Sequence, residues 1–168
     1  MRRQFRFGVL IAVVLGIWAL AAGFRITGLP PGRPTLDLLA ADHGGQVRIE
    51  DGYIVGAPEW IGEVTASSAS YDLHAKLDAY RRNGVKEYVV WRVLERAIDW
   101  FVLEGEDFVP LPSENGVYRS RVFPGLWLDA PALIDGQLLK VIQLVQQGVA
   151  GDEHQRFVEK LKQQSSST

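Results

Sequence analysis

The chain has no cysteine in its 168 residues, which excludes a disulfide framework, a thiolate zinc site and a cysteine nucleophile. That fits a reducing compartment. Charge of one sign is also missing: 18 Lys and Arg stand against 20 Asp and Glu, a formal net of -2. No overall basic field therefore advertises a nucleic-acid partner, and any such contact has to come from a local patch. Histidine is sparse, and His43, His74 and His154 lie scattered without metal-ligand spacing. There is no internal repeat and no long low-complexity segment. What remains is an ordinary globular composition, 47% hydrophobic and 23% charged, long enough for one domain with a sizeable core plus appendages.

One long apolar run is present. Phe7 to Phe24, "FGVLIAVVLGIWALAAGF", carries no charge and is bounded by Arg6 and Arg25. At ~1.5 Å rise per residue, a helix of this length comes close to the ~30 Å hydrocarbon core of a bilayer. It reads as a transmembrane helix, with a secretory signal peptide as the alternative, because "MRRQFR" is a basic leader and "ALAAG" supplies small residues. Arg2, Arg3 and Arg6 before the run outweigh Arg25 and Arg33 after it, so a span would leave the N-terminus inside and the rest of the chain outside the cytoplasm. The expected localisation is a single-pass membrane protein if the run is a native anchor, and cytoplasmic otherwise. Residues 1–27 thus form an apolar N-terminal segment and 28–33, "GLPPGR", a linker whose paired prolines disfavour helix. A core over 34–130 and C-terminal helices and tail over 131–168 follow.

Within the core, "TLDLLA" is a candidate strand and "HGGQ" punctuates it before "QVRIEDGYIVGAP". Trp60 to Val64 fits a buried strand, stopped by "TASSAS". A helix is expected next: Ser70 caps it, Asp72 suits its first turn, Leu73, Leu77 and Tyr80 share a face, and Asn83-Gly84 stops it. "EYVVWRV" predicts a strand, "AIDWFVLEGEDFVPL" a hairpin turning at Glu104 to Asp107, and "GVYRSRVFPGLWLD" a continuation of the sheet. Leu138, Leu139, Ile142 and Val145 recur at helical spacing up to Gly148, which ends that element, and a charged helix carrying Phe157, Val158 and Leu161 follows. This order indicates an α/β or α+β domain with a mixed sheet.

Chemistry concentrates in "PEWIGEVTASSASYDLHAKLDAY". Metal-dependent phosphodiester hydrolysis needs carboxylates to hold an oxygen-loving divalent cation and benefits from a cation that stabilises developing charge. Glu63 on an apolar strand is costly as a charge unless it is paired or bound to metal. Lys76, about one and a half turns into the following helix, reaches the strand end if the helix packs back over its own strand. The bland alternative is a half-buried glutamate satisfied by Lys76 or backbone amides, with a lysine that merely snorkels. Asp72 and its neighbouring serines are explained by capping. Trp91, Trp100 and Trp127 read as core. Arg81, Arg82, Lys86, Arg92 and Arg96 cluster in sequence as candidate phosphate contacts, with a solvated face as the alternative.

These residues carry a resemblance. Pro58, Glu59, Glu63, Val64, Ser67, Asp72, Lys76, Tyr80, Gly84, Val85, Glu87 and Tyr88, together with "YRSRVFPGLWLD", resemble the Uma-type family of restriction endonucleases, a branch of the PD-(D/E)XK nuclease superfamily. The likeness runs from about Gln46 to Leu161. It implies a restriction-endonuclease-like α/β fold, a mixed β-sheet flanked by helices, and a magnesium- or manganese-dependent DNA endonuclease that works on DNA and leaves room for a homodimer. By the resemblance Glu63 is the metal-binding acid. The superfamily's lysine, absent at Thr65, has moved to the next helix as Lys76. The second metal carboxylate belongs where "RPTLDLL" has Thr35, so Asp37 is the candidate substitute, catalytic and metal-binding. On a strand it projects to the same face about 6–7 Å further along. Where the family begins with a helix and a small hairpin this chain has the apolar segment, either a membrane anchor in their place or the mark of an altered start. An inactive nuclease-fold remnant and a membrane-tethered interaction module therefore stand as alternatives.

Overall fold

The computed structural model describes residues 48–50, 53–65 and 70–165. The apolar segment, the linker, Thr35, Asp37 and their expected strand lie outside those residues, as does most of the serine-rich loop. Two short strands come first, β1 (Arg48–Glu50) and β2 (Tyr53–Val55), paired antiparallel. Then β3 (Trp60–Thr65), α1 (Ser70–Arg82), β4 (Glu87–Arg92), β5 (Ala97–Glu104) and β6 (Asp107–Pro110) build a four-stranded sheet in the order β3-β4-β5-β6. β3 and β4 are parallel while the other two pairs are antiparallel, so the sheet is mixed. No helix among the described residues is long and apolar enough to cross a membrane.

Local chemistry accounts for the crossover. A parallel pair needs a long connection, and α1 supplies it. The helix stops where Asn83-Gly84 was expected to stop it: Gly84 N–H donates to Arg81 O at 3.0 Å and Val85 N–H to Tyr80 O at 3.1 Å, with Gly84 at φ +79°. This is the paired closure that a left-handed glycine permits. Val85, 1% exposed, then drops into the interior and aims the chain into β4.

Side-chain alternation divides the sheet into two faces. Ile61, Glu63, Tyr88, Val90, Arg92, Asp99 and Phe101 lie on the face that meets α1, as register and contacts agree. Trp60, Val89, Trp91, Ile98, Trp100 and Val102 line the other, where they join Leu126, Leu128, Leu133, Val141 and Val145 in the core. Trp100 meets Trp60 edge-on at 6.2 Å and stacks on Tyr118 at 5.7 Å. Each such buried side chain contributes roughly 1.5–3 kcal/mol.

The C-terminal part differs from expectation in its strands. "GVYRSRVFPGLWLD" does not extend the sheet: β7 (Val117–Arg119) and β8 (Trp127–Asp129) form a separate antiparallel pair. The loop between them is folded inward onto a carboxylate of β4, described next. Helices α2 (Ala130–Ile134), α3 (Leu138–Val149) and α4 (Asp152–Ser165) follow. Asp129 caps α2 by accepting from Ala132 N–H at 2.8 Å. α3 stops one residue past Gly148, where expected, and Gly148 has a second role, since a Cβ there would sit 2.2 Å from Gly125 O. The glycine lets helix and loop backbones touch.

Glu87 joins the two sheets. It is 0% exposed. Arg121 N–H and Val122 N–H donate to its Oε1 at 2.6 and 3.1 Å, while Ser120 Oγ and Trp100 Nε1 donate to its Oε2 at 2.7 and 3.1 Å. Ser120 Oγ in turn accepts from Phe123 N–H at 2.9 Å. Burial pushes the Glu87 carboxyl above its ordinary range, against the pull of those four donors.

Truncation by Glu87→Ala strands four donors at a cost of about 1–3 kcal/mol each where water cannot reach, so urea denaturation should show a loss of at least about 3 kcal/mol. A carboxyl whose folded pKa is raised stabilises the fold fully below its unfolded value near ~4.3, and that contribution disappears as pH rises through the folded value. Wild-type stability should therefore fall over that window relative to Glu87→Gln, in chemical denaturation repeated across pH.

Candidate active site

Glu63 sits near the C-terminal end of β3, beside Val90 of β4 and half-buried under α1. The helix turns Leu73, Lys76, Leu77 and Tyr80 toward the sheet while His74, Ala75 and Asp78 face solvent. Lys76 and Tyr80, four residues apart, are neighbours on that inner face. Both reach the same carboxylate. Lys76 Nζ donates to Glu63 Oε2 at 2.7 Å, and Tyr80 Oη donates to Oε1 at 2.6 Å. From below, Tyr88 Oη donates to Oε2 at 3.1 Å. Tyr88 is 1% exposed, meets Tyr80 edge-on at 5.0 Å and stacks on Phe101 at 6.2 Å, so the phenol has little freedom to leave.

The carboxylate is thus oriented by neutral donors on both oxygens and neutralised by one ammonium. An ionised carboxylate offers about four lone-pair sites. Among the described residues three are used, and one on Oε1 is left for a further partner. Because the Glu63 and Lys76 side chains are 24% and 32% exposed, the ion pair is partly screened and contributes about 1 kcal/mol or less.

The structure therefore brings two of the three candidate site residues together. Asp37 lies outside the described residues. No group of three His, Cys, Asp or Glu side chains suited to a metal ion occurs among the described residues. Glu59 contributes its backbone carbonyl, which accepts from Lys86 and Glu87 N–H and anchors the start of β4.

The tyrosines were in the sequence pattern without a role. Two signals pointed to them: the four-residue spacing from Lys76 to Tyr80, and the strand alternation that turns Tyr88 to the α1 face. The candidate phosphate-binding cations fare unequally. Arg81 and Arg82 pair with Asp78 at the solvent side of α1, at 2.8 and 3.4 Å, and Arg96 pairs with Asp135 at 2.6 Å. Arg92 Nε donates to Asp99 Oδ2 at 2.7 Å on the sheet face that carries Glu63. That hydrogen bond pushes the Arg92 guanidinium further up from an already high value, so it stays charged. Trp91 and Trp100 are core, as expected, while Trp127 is half-buried beneath the Arg119 guanidinium at 5.1 Å.

Fold and site together define an α/β domain in which a strand carboxylate and a helix ammonium meet over a parallel strand pair. The chain belongs to the Uma2 family, described as "Putative restriction endonuclease", which matches residues 19–131, more than half of its length. At the family level it is a restriction-endonuclease-like protein. A search of curated proteins finds no match.

Removing one phenol donor, as in Tyr80→Phe or Tyr88→Phe, should cost about 0.5–1.5 kcal/mol in chemical denaturation. Combined with Glu63→Ala, each should be non-additive by about 0.5–3 kcal/mol. Strict additivity would mean that the phenols do not support the carboxylate.

Proposed function

We propose that the chain is a divalent-metal-dependent DNA endonuclease that hydrolyses phosphodiester bonds with magnesium or manganese. The observation that carries this reading is the 2.7 Å contact between Lys76 and Glu63, which joins the helix lysine to the strand acid. The family description supports the reaction class. Magnesium binds proteins through one or two carboxylates and keeps waters and substrate oxygens for its remaining positions. A rigidly held Glu63 with one lone-pair site left on Oε1 suits such a donor set, and Asp37 is the proposed second carboxylate. When bound, the ion supplies Lewis acidity and charge at the scissile phosphate.

The chain's own groups do the rest. Tyr80 and Tyr88 keep the carboxylate in one orientation. Lys76 holds a positive charge beside it, where it can meet a phosphate oxygen whose charge grows in the transition state. Each oxygen of Glu63 keeps a phenol donor if the ammonium moves from carboxylate to phosphate, so the acid is not released with it. A nuclease-fold remnant is the second reading. It is favoured by the engagement of both Glu63 oxygens and by Thr35 in place of an acid. A calorimetric manganese titration separates the two, since the remnant takes up no ion that depends on Glu63.

In plasmid cleavage with magnesium or manganese, Glu63→Ala and Lys76→Ala should each lower the rate by about a hundredfold or more, the scale of losing a major electrostatic group. Circular dichroism should show both variants folded. Cleavage that survives both changes overturns the assignment of the chemistry to Glu63 and Lys76, and no cleavage by the wild-type chain overturns the endonuclease reading.

A further inference from the structure

Of the five candidate cations, Arg92 lies within β4 on the face of Glu63 and one row from it, whereas Lys86, which has the same alternation, precedes the opposite end of β4. Glu63, Val90 and Asp99 form one row across the sheet, and Thr65, Arg92 and Ala97 form the row two residues further on. With strands ~4.8 Å apart and a rise of ~3.3 Å per residue, the Cα atoms of Glu63 and Arg92 are diagonal neighbours about 8 Å apart. Arg81 and Arg82 lie at the other end of the crossover. α1 begins beyond the C-terminal end of β3 and finishes before the N-terminal end of β4, a length of roughly 20 Å.

The manner in which Arg92 is held matters more than its position. Asp99 accepts from Nε, the inner donor of the guanidinium, and no acceptor meets either terminal nitrogen among the described residues. A single carboxylate at Nε fixes the plane of the group and leaves the paired outer N–H groups as a fork, the geometry that matches two oxygens of a phosphate. The side chain is 26% exposed, so the fork is partly desolvated yet reachable.

We propose that Arg92, oriented by Asp99, is a phosphate-binding residue that grips a phosphodiester of duplex DNA next to Glu63 and Lys76. The assignment rests on the endonuclease reading and adds to it a second anchoring cation on the same sheet face. Arg92 does not touch the reacting group by this account: it sets where the backbone lies.

The test is binding of a fluorescein-labelled DNA duplex to the full chain, followed by anisotropy across a salt series in EDTA so that no cleavage occurs. Arg92→Gln should bind roughly five- to tenfold more weakly, with the slope of log affinity against log salt shallower by about 0.9, one phosphate contact. Arg96→Gln, which breaks only the exposed pair with Asp135, should match wild type in both. If Arg92→Gln fails to fold, Arg92→Gln/Asp99→Asn replaces the ion pair with an amide pair, and the same loss should appear relative to Asp99→Asn alone. Wild-type binding with an unchanged slope in the Arg92 variant overturns this inference and leaves the endonuclease reading standing. No duplex binding by the wild-type chain overturns both.

Discussion

Glu87 enters the interior at the first residue of β4, and four neutral donors hold it there with no ion pair to it among the described residues. Much depends on that carboxylate. Two of the donors are backbone N–H groups of the loop between β7 and β8, so one side chain joins a two-stranded unit to a four-stranded sheet. The bond also sets the phase of β4. With Glu87 turned to the core side, Tyr88, Val90 and Arg92 must turn to the α1 side, because a one-residue slip would reverse every side chain of the strand. The site inherits its floor from this choice.

Two glutamates, each engaged by several donors, therefore sit on opposite faces of one sheet and are handled differently. Glu87 is wholly buried, satisfied by neutral groups, and burial pushes its carboxyl upward. Glu63 is half-buried, takes an ammonium as well as two phenols, and among the described residues retains a lone-pair site. The first arrangement suits a structural tie, since nothing can approach it. The second suits chemistry, since its orientation is fixed by Tyr80 and Tyr88 while its charge partner is a half-buried lysine on the inner face of α1. Arg92 and Asp99 extend the same surface by one row, with the arginine's outer edge still open.

Local signals were the legible ones. The Asn83-Gly84 stop, the β-branched run of β4, the hairpin at Glu104 to Asp107 and the inner face of α1 all follow from interactions within a few residues, and the structure repeats them. The pairing of Glu63 with Lys76 was legible for a similar reason: a strand followed by a helix that packs back on it has few ways to place them. The separate β7–β8 pair was not, because its strands have the same alternation as sheet strands and only the carboxylate of a residue about 34 positions away draws the loop aside. Gly148 was legible only in part: the helix does stop beside it, but its backbone contact with Gly125 is something periodicity does not encode.

By itself the sequence determined the family, the strand–helix–strand order, and Glu63 and Lys76 as the candidate acid and lysine, because these depend on residue type and spacing along the chain. Tertiary structure decided what surrounds them: that Tyr80 and Tyr88 converge on one carboxylate, that Glu87 lies on the core side, and that Arg92 stands one row from Glu63 on the same face. Those facts depend on register and on which face of β4 each residue takes. Register is settled by side chains that meet across strands, and no local pattern contains it.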